Sequence, residues 1–393
     1  MSVQAISEKV RQLPPYLFAE LGRKKAVLQK KGIDVIDLGI GAPDLPTPKF
    51  IIDALIEEAQ KPENHRYSPY SGCFEFRKAI AHFYKRQYGV ELDPEKEVLT
   101  LIGSKEGLHH LIQTILNPGD AVILPNPGYP VYRTSVHLAG GKAIDLPLQA
   151  EQGFIPDYTL INKEEIKKAK MMLLNYPSNP TTATVQLNDY LKAITFAKEN
   201  NLLLVNDMAY DLITFGDYKA PSALQVEGAK KHAVEFGSLS KSFNMTGWRI
   251  GYVVGNKKVI QALATLKSNI DSSQFLAVQK AAAIALESDL LEVKSHSQIF
   301  EERMELLYHA LTNIGLKVQK PRGTIFLWVQ VPKGYTSMSF ADKLLQEVGI
   351  LVTPGIAFGS NGEGYVRISL SVSKERLQEV IRRLKTIEFK GGT

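Results

Sequence analysis

The sequence predicts an α/β protein built on a mainly parallel sheet. Three runs carry this prediction: Ala121-Val122-Ile123-Leu124, Met171-Met172-Leu173-Leu174 and Leu202-Leu203-Leu204-Val205 are apolar at every position. Strands covered by helices on both faces have this character, whereas half-exposed strands alternate. Helix-like stretches lie between the runs, and a mainly parallel arrangement follows. A further strand-like segment, Val98-Leu99-Thr100-Leu101-Ile102, leads through Gly103 into a helix-like stretch from about Glu106 to Leu116. In open sheets of this kind ligands bind at strand carboxyl ends and helix amino ends.

Length and composition agree with that fold. A chain of 393 residues, 44% of them hydrophobic, can bury a large core and should hold one big domain and a smaller one. The formal charge of +6 is spread thinly. Clusters such as Lys163-Glu164-Glu165-Ile166-Lys167-Lys168 interleave bases with acids and read as a solvated helix face, not as a nucleic-acid surface. The single cysteine, Cys73, has no intrachain partner, which fits a reducing cytoplasm. Met1 through Pro15 has no apolar core of a signal peptide, and no apolar run approaches the ~20 residues of a membrane span. His109 and His110 are adjacent, without metal-ligand spacing, so no metal site is expected.

The most informative stretch runs from Gly237 to Gly251, Gly-Ser-Leu-Ser-Lys-Ser-Phe-Asn-Met-Thr-Gly-Trp-Arg-Ile-Gly. It sets Lys241 among small hydroxyl residues and follows it with Arg249. A lysine whose charge is disfavoured by a neighbouring cation and by desolvation can form a Schiff base with an aldehyde. Arg249 supplies the cation and also a guanidinium fork that matches phosphate oxygens, while Ser238 and Ser240 add hydroxyl donors. Lysine, phosphate ligands and an aldehyde together point to pyridoxal phosphate. A nucleotide P-loop is excluded, because Gly237 is too close to Lys241 and the residue before the lysine is Ser240.

Three other segments supply what such a site needs. Asp207, in Asn206-Asp207-Met208-Ala209-Tyr210 after a strand-like run, can keep a pyridine nitrogen protonated, and Tyr210 can reach the phenolic oxygen of the ring. Asn179, in Asn175-Tyr176-Pro177-Ser178-Asn179-Pro180-Thr181, lies in a rigid proline turn from which its amide reaches the same oxygen. Gly103-Ser104-Lys105-Glu106-Gly107 opens a helix whose backbone N–H groups would cradle the phosphate. Taken singly these have ordinary readings: a strand-end turn, an Asx turn, an N-cap. Their joint order favours the cofactor site.

With these motifs in place, the chain resembles the class I/II aminotransferase family of fold type I pyridoxal phosphate enzymes over nearly its whole length, from Leu38-Gly39-Ile40-Gly41-Ala42-Pro43-Asp44 to Gly364-Tyr365-Val366-Arg367-Ile368-Ser369. The resemblance implies an N-terminal arm over 1–44 that joins the small domain, a large cofactor domain over 45–285 and a small α+β domain over 286–393. It makes Lys241 the lysine that carries the cofactor and the general base and acid at the substrate Cα, with Asp207 on the pyridine nitrogen and Tyr210 and Asn179 on the phenolic oxygen. Ser104, Lys105, Ser238 and Arg249 match the phosphate end, Tyr129 the aromatic residue stacked on the ring, and Arg367 the clamp on the substrate carboxylate. Gly41 matches the place where backbone passes close to substrate. Tyr67 matches a tyrosine sent across the interface of a homodimer to the neighbour's phosphate. The implied reaction is transamination between an L-amino acid and a 2-oxo acid such as 2-oxoglutarate or pyruvate. A carbon–sulfur β-lyase and a non-catalytic ligand sensor are the alternative readings on the same scaffold.

The Leu13-to-Glu20 segment, with Tyr16 toward the substrate, and the Ser268-to-Ser273 stretch resemble a branch that includes LL-diaminopimelate, alanine and methionine aminotransferases. Around residues 262–269, where aspartate-preferring relatives supply an arginine, this chain offers only Lys267. A neutral or diamino-acid donor is therefore expected. Two departures from the family pattern carry expectations of their own. Thr182 stands where glycine is usual, so a different backbone shape is expected in that turn. Asn206, next to Asp207, is expected to alter the cofactor's surroundings.

Overall fold

The computed structural model describes residues 6–13 and 17–389. In chain order the strands are β1 (Ile36–Asp37), β2 (Val98–Leu101), β3 (Ala121–Asn126), β4 (Lys142–Pro147), β5 (Ala169–Leu174), β6 (Leu203–Asp207), β7 (Ala233–Ser238), β8 (Gly251–Gly255), β9 (Phe326–Gln330), β10 (Ile350–Leu351), β11 (Thr353–Pro354) and β12 (Tyr365–Ser369). Seven of them form one sheet in the order β2-β8-β7-β6-β5-β3-β4. Within it, β4, β3, β5, β6 and β7 pair in parallel, and β8 runs antiparallel to both β7 and β2. The mainly parallel sheet expected from the apolar runs is thus present.

Both faces of this sheet are dry, which is why its strands read as unbroken apolar runs. Leu99, Val122, Met171, Val205, Phe236 and Val253 face a core shared with helices Ser104–Ile115, Pro130–Leu138 and Lys257–Ser268. Their chain neighbours Val98, Ile123, Met172, Leu204 and Val254 face the opposite core, against helices Phe74–Tyr88, Leu187–Glu199 and Leu276–Glu287. Helix Phe74–Tyr88 shows how the second face is read from sequence. Phe76, Ala79, Ile80, Phe83 and Tyr84 recur at helical spacing and are buried, and the helix stops at Gly89, whose φ of 68° suits glycine.

Asn206 belongs to that second face, and the expectation that it shapes the cofactor's surroundings is corrected. Alternation along β6 sends its side chain away from Asp207. Its Nδ2 donates to Tyr190 Oη at 2.9 Å and to Glu235 Oε2 at 2.8 Å. Glu235 is fully buried and also accepts from Tyr84 Oη, Ser222 Oγ and Ala223 N. Burial pushes this carboxyl upward and those donors offset the rise.

A second, three-stranded antiparallel sheet has the order β11-β12-β9. It packs with helices Leu291–Asn313, Ser337–Val348 and Lys374–Leu384 around Phe300, Leu307, Phe340, Val366 and Leu377. The N-terminal β1 pairs in parallel with β10 near the other end of the chain, and Ile36 and Leu38 enter this core. A strap from Asp37 to Asp44 then crosses toward the large sheet. Asp37 anchors its start, accepting from Lys25 Nζ and from Gly39 N, both at 2.9 Å. Arg303, nearly buried on helix Leu291–Asn313, anchors its end through Nη1 and Nη2 on the two Asp44 oxygens at 2.6 and 3.0 Å.

Removing one member of such a pair strands the other charge. Arg303→Met should destabilise the protein by about 2–3 kcal/mol, and Arg303→Met/Asp44→Asn should recover most of the loss, as read from urea unfolding midpoints.

Candidate active site

Parallel strands deliver their carboxyl ends to one edge of a sheet, and the residues singled out above sit there. β6 ends on Asp207, and β5 leads directly into Asn175 and Asn179. β7 ends on Ser238 and passes into the short helix Leu239–Ser242, which carries Lys241. β2 passes through Gly103 into helix Ser104–Ile115. The small sheet closes the site by presenting Arg367 from β12 and Phe326 from β9. Together they line a cavity of about 470 Å³.

At its centre Lys241 Nζ donates to Gly41 O of the strap at 2.6 Å. The amine is held well below the ordinary lysine value, at about 8, foremost by desolvation and then by the positive charges of Arg367 and Arg249, with Asp207 acting in the opposite direction. Gly41 has a steric reason to be glycine, since a Cβ there would fall 2.5 Å from Phe326 Cζ.

Asp207 forms the floor. Burial raises its carboxyl to about 6, against the lowering effects of a hydrogen bond from Tyr132 and the charge of Lys241. Tyr132 Oη donates to Oδ2 at 2.7 Å, while Oδ1 is buried and finds no hydrogen-bond partner among the described residues. An unsatisfied buried carboxylate oxygen is costly, and this one fits the protonated pyridine nitrogen of pyridoxal phosphate. Asn175 locks the floor, its Nδ2 donating to Asp207 O at 2.7 Å and its Oδ1 accepting from Asn179 N at 2.8 Å. Tyr210 and Tyr129 line the same cavity, and burial holds the Tyr210 phenol above its usual range.

Another side of the cavity gathers Ser104, Lys105, Ser238, Ser240 and Arg249, hydroxyl and cationic groups suited to an anion. Arg249 takes a left-handed conformation, φ 54° and ψ 53°, which is sparsely populated outside glycine. Its Nη1 donates to Thr246 O at 2.8 Å and to Ser240 Oγ at 3.4 Å. Gly103 makes room for it, having φ +86° and a would-be Cβ 2.3 Å from Arg249 Nη2. Ser238 Oγ accepts from Ser240 N at 3.2 Å and so holds the turn that displays Lys241.

Opposite, Arg367 is buried, with Nη1 donating to Asn179 Oδ1 and Nη2 to Gly39 O, both at 2.7 Å. Its guanidinium lies over the Phe326 ring, 4.2 Å from the centroid. Thr182, close by, has φ 61°. The turn therefore passes through the left-handed backbone region, which glycine occupies more readily than threonine.

Of the sequence-predicted residues, Tyr67 is not brought to this cavity; it is 91% exposed. Tyr16 lies outside the described residues. Lys267 is fully buried and ion-paired to Asp271 and Glu106, so it is not available to a substrate carboxylate. Sequence reasoning gave no role to Tyr132, Asn175 and Phe326. Tyr132 follows Tyr129 by three positions at the start of a helix, a spacing that puts both on one side. Asn175 stood in a motif already quoted, whereas nothing local marked Phe326.

A cavity of this kind at the strand ends of such a sheet is that of a fold type I pyridoxal phosphate enzyme. The chain belongs to the class I and II aminotransferases, whose family model matches residues 33–384. It is similar to the LL-diaminopimelate aminotransferase of Aquifex aeolicus, 50% identical over 98% of this chain and 99% of the relative. It is also similar to that of Moorella thermoacetica, 47% identical over 97% and 98%. Among solved structures, substrate-bound BacF from Bacillus subtilis matches with a TM-score of 0.94 at 40% identity, covering 98% of each chain. A mutant aspartate aminotransferase of Thermus thermophilus matches at 0.91 and 30% identity, covering 97% and 99%. The protein is a pyridoxal-phosphate-dependent transaminase that moves an amino group between an amino acid and a 2-oxo acid. The lyase and sensor readings find no support in these relatives. No described helix is long and apolar enough to cross a membrane.

Amine-directed labelling of Lys241 in cofactor-free protein, followed by mass spectrometry, should rise with pH through a midpoint of about 8. Arg367→Gln removes one of the charges that disfavour the ammonium, so its midpoint should move upward.

Proposed function

We propose that Lys241 carries the cofactor and moves the proton at the substrate Cα, and that the donor is an LL-diaminopimelate-type diamino acid with 2-oxoglutarate as acceptor. The observation that carries the assignment of roles is the convergence of a lowered-pKa lysine, a buried aspartate oxygen without partner and two arginines in one cavity. The donor is supported by the names of the relatives, which are LL-diaminopimelate aminotransferases. The absence of an arginine in the 262–269 segment and the pairing of Lys267 speak against strict preference for aspartate.

In this reading Arg249, Ser104, Lys105, Ser238 and Ser240 hold the phosphate. Asp207, positioned by Tyr132 and Asn175, would hold the ring nitrogen, with Tyr129 against the ring and Tyr210 and Asn179 toward its phenolic oxygen. Bound there, pyridoxal phosphate supplies an aldehyde for the amino group and an electron-withdrawing ring that acidifies the substrate Cα–H. Arg367 would exchange Gly39 O for the α-carboxylate and so orient the bond to be broken, with the backbone at Gly41 beside the substrate. Lys241, released from Gly41 O, would take the proton from the substrate Cα as general base, a role suited to an amine whose ammonium form is disfavoured by desolvation.

Tyr67 belongs to a second copy's site in a homodimer. It is accompanied on the surface by Tyr70, Phe74, Ile270 and Phe275, all exposed. Their loops are tied together by Gln279, whose Nε2 donates to Ser68 Oγ at 2.8 Å and to Gln274 O at 2.7 Å and whose Oε1 accepts from Cys73 N at 2.7 Å. An apolar patch on a rigid support is what an interface between copies needs. A cytoplasmic location is consistent with the lone buried thiol of Cys73.

Lys241→Ala should lose the visible absorbance of the bound cofactor and all transamination. In the parent protein kcat/KM should be highest for LL-diaminopimelate among that compound, aspartate, alanine, methionine and an aromatic amino acid. Aspartate ahead by about tenfold, roughly 1.4 kcal/mol of transition-state binding, would overturn the donor assignment. Sedimentation at assay concentration should give a dimer, and a fully active monomer would contradict the role of Tyr67.

A further inference from the structure

Lys267 is a buried cation that the reaction does not use. It lies near the end of helix Lys257–Ser268 and has no exposed surface. Its Nζ is 2.5 Å from Asp271 Oδ1 and 3.5 Å from Glu106 Oε1, and His110 Nδ1 is 2.7 Å from that same Glu106 oxygen. Glu106, His110 and Asp271 bring potential ligand atoms within 4.8 Å of one another, a grouping able to hold a metal ion. Here the ammonium of Lys267 stands beside both carboxylates and supplies the positive charge.

The position of Glu106 gives this charge a purpose. It lies in the first turn of helix Ser104–Ile115 and accepts from Ile102 N at 3.0 Å, satisfying a backbone donor at the entrance to that turn. An anionic side chain is favourable at a helix amino end, but it competes with any second anion bound there, and a phosphate within a turn of it is repelled. Asp271 adds a second negative charge. Its loop is fastened to the same region, because Gln274 Nε2 donates to Leu101 O at 2.6 Å and to Arg249 O at 2.9 Å.

We propose that Lys267 is the fixed counter-charge of the phosphate end. By offsetting one of the two carboxylate charges, of Glu106 and Asp271, it lets Glu106 satisfy Ile102 N while reducing the repulsion of the cofactor phosphate at the helix amino end. Lys267 does not line the cavity, so its action is electrostatic and positional. The inference rests on the reading of Ser104, Lys105 and Arg249 as phosphate ligands.

Titration of cofactor-free protein with pyridoxal phosphate and with pyridoxal, which lacks the phosphate, isolates the effect. Lys267→Met should weaken pyridoxal phosphate about tenfold and leave pyridoxal within about twofold of the parent. Glu106→Gln, which keeps an acceptor for Ile102 N, should bind pyridoxal phosphate at least as tightly as the parent. The neutral Lys267→Met/Glu106→Gln/Asp271→Asn cluster, which loses both carboxylate charges along with the ammonium, should recover a preference for the phosphate at least as strong as the parent's. Equal loss of both ligands in Lys267→Met, an unchanged preference, no recovery in the neutral cluster, or weaker pyridoxal phosphate binding by Glu106→Gln would each overturn the proposal. If Lys267→Met does not fold, the Glu106→Gln titration decides. A parent that shows no preference for pyridoxal phosphate over pyridoxal would instead overturn the phosphate-end reading itself.

Discussion

Burial of the large sheet on both faces constrains everything else in this molecule. A polar side chain within such a strand loses its water and must find partners inside the core. Glu235, at mid-strand, needs donors from Tyr84, Ser222, Asn206 and Ala223. At the strand ends that cost falls, because loops and helix termini bring backbone N–H groups and side chains from several elements to one place. Asp207, Asn175, Ser238 and the Gly103 turn meet at that edge because the strands before them run the same way.

The cavity is cationic at both ends, and this arrangement has two effects. Arg249 and Arg367 suit the anionic ends of a cofactor and of an amino acid, and both also oppose the ammonium of Lys241. Binding of anions and activation of the amine therefore come from the same charges. Asp207 works against that lowering, and burial brings its own carboxyl up to about 6. Desolvation thus disfavours the charged form of both groups, the lysine downward and the aspartate upward.

The strap from Asp37 to Asp44 joins the two sheets at this point. Its carbonyls accept from two of the cavity's basic side chains, Gly39 O from Arg367 and Gly41 O from Lys241, and ion pairs fix its ends. On the proposed roles of these two residues, substrate would exchange with those carbonyls, and the strap would set the geometry of exchange without supplying a reacting group.

The sheet was legible in the sequence because full burial leaves a local mark, the unbroken apolar run, and the strand-to-helix turns at Gly103 and Ser238 carry glycine and hydroxyl residues that such turns require. Lys241, Asp207 and Arg249 stand in short motifs whose chemistry is readable residue by residue, whereas Arg367 was singled out only by the family resemblance; the structure brings all four to one cavity. Other features depend on contacts between distant segments. The pairing of Tyr132 with Asp207, the placement of Phe326 beneath Arg367, the turning away of Asn206 toward Glu235 and the enclosure of Lys267 between Glu106 and Asp271 join residues up to 161 positions apart or lie on a face that one residue of register decides. Sequence alone determined the fold class, the strand ends and the identity of the reactive groups, because local pattern encodes burial and turn chemistry. Only the tertiary structure decided which charges are neutralised and which face the cavity, because desolvation and Coulomb energy depend on distances that no local pattern records.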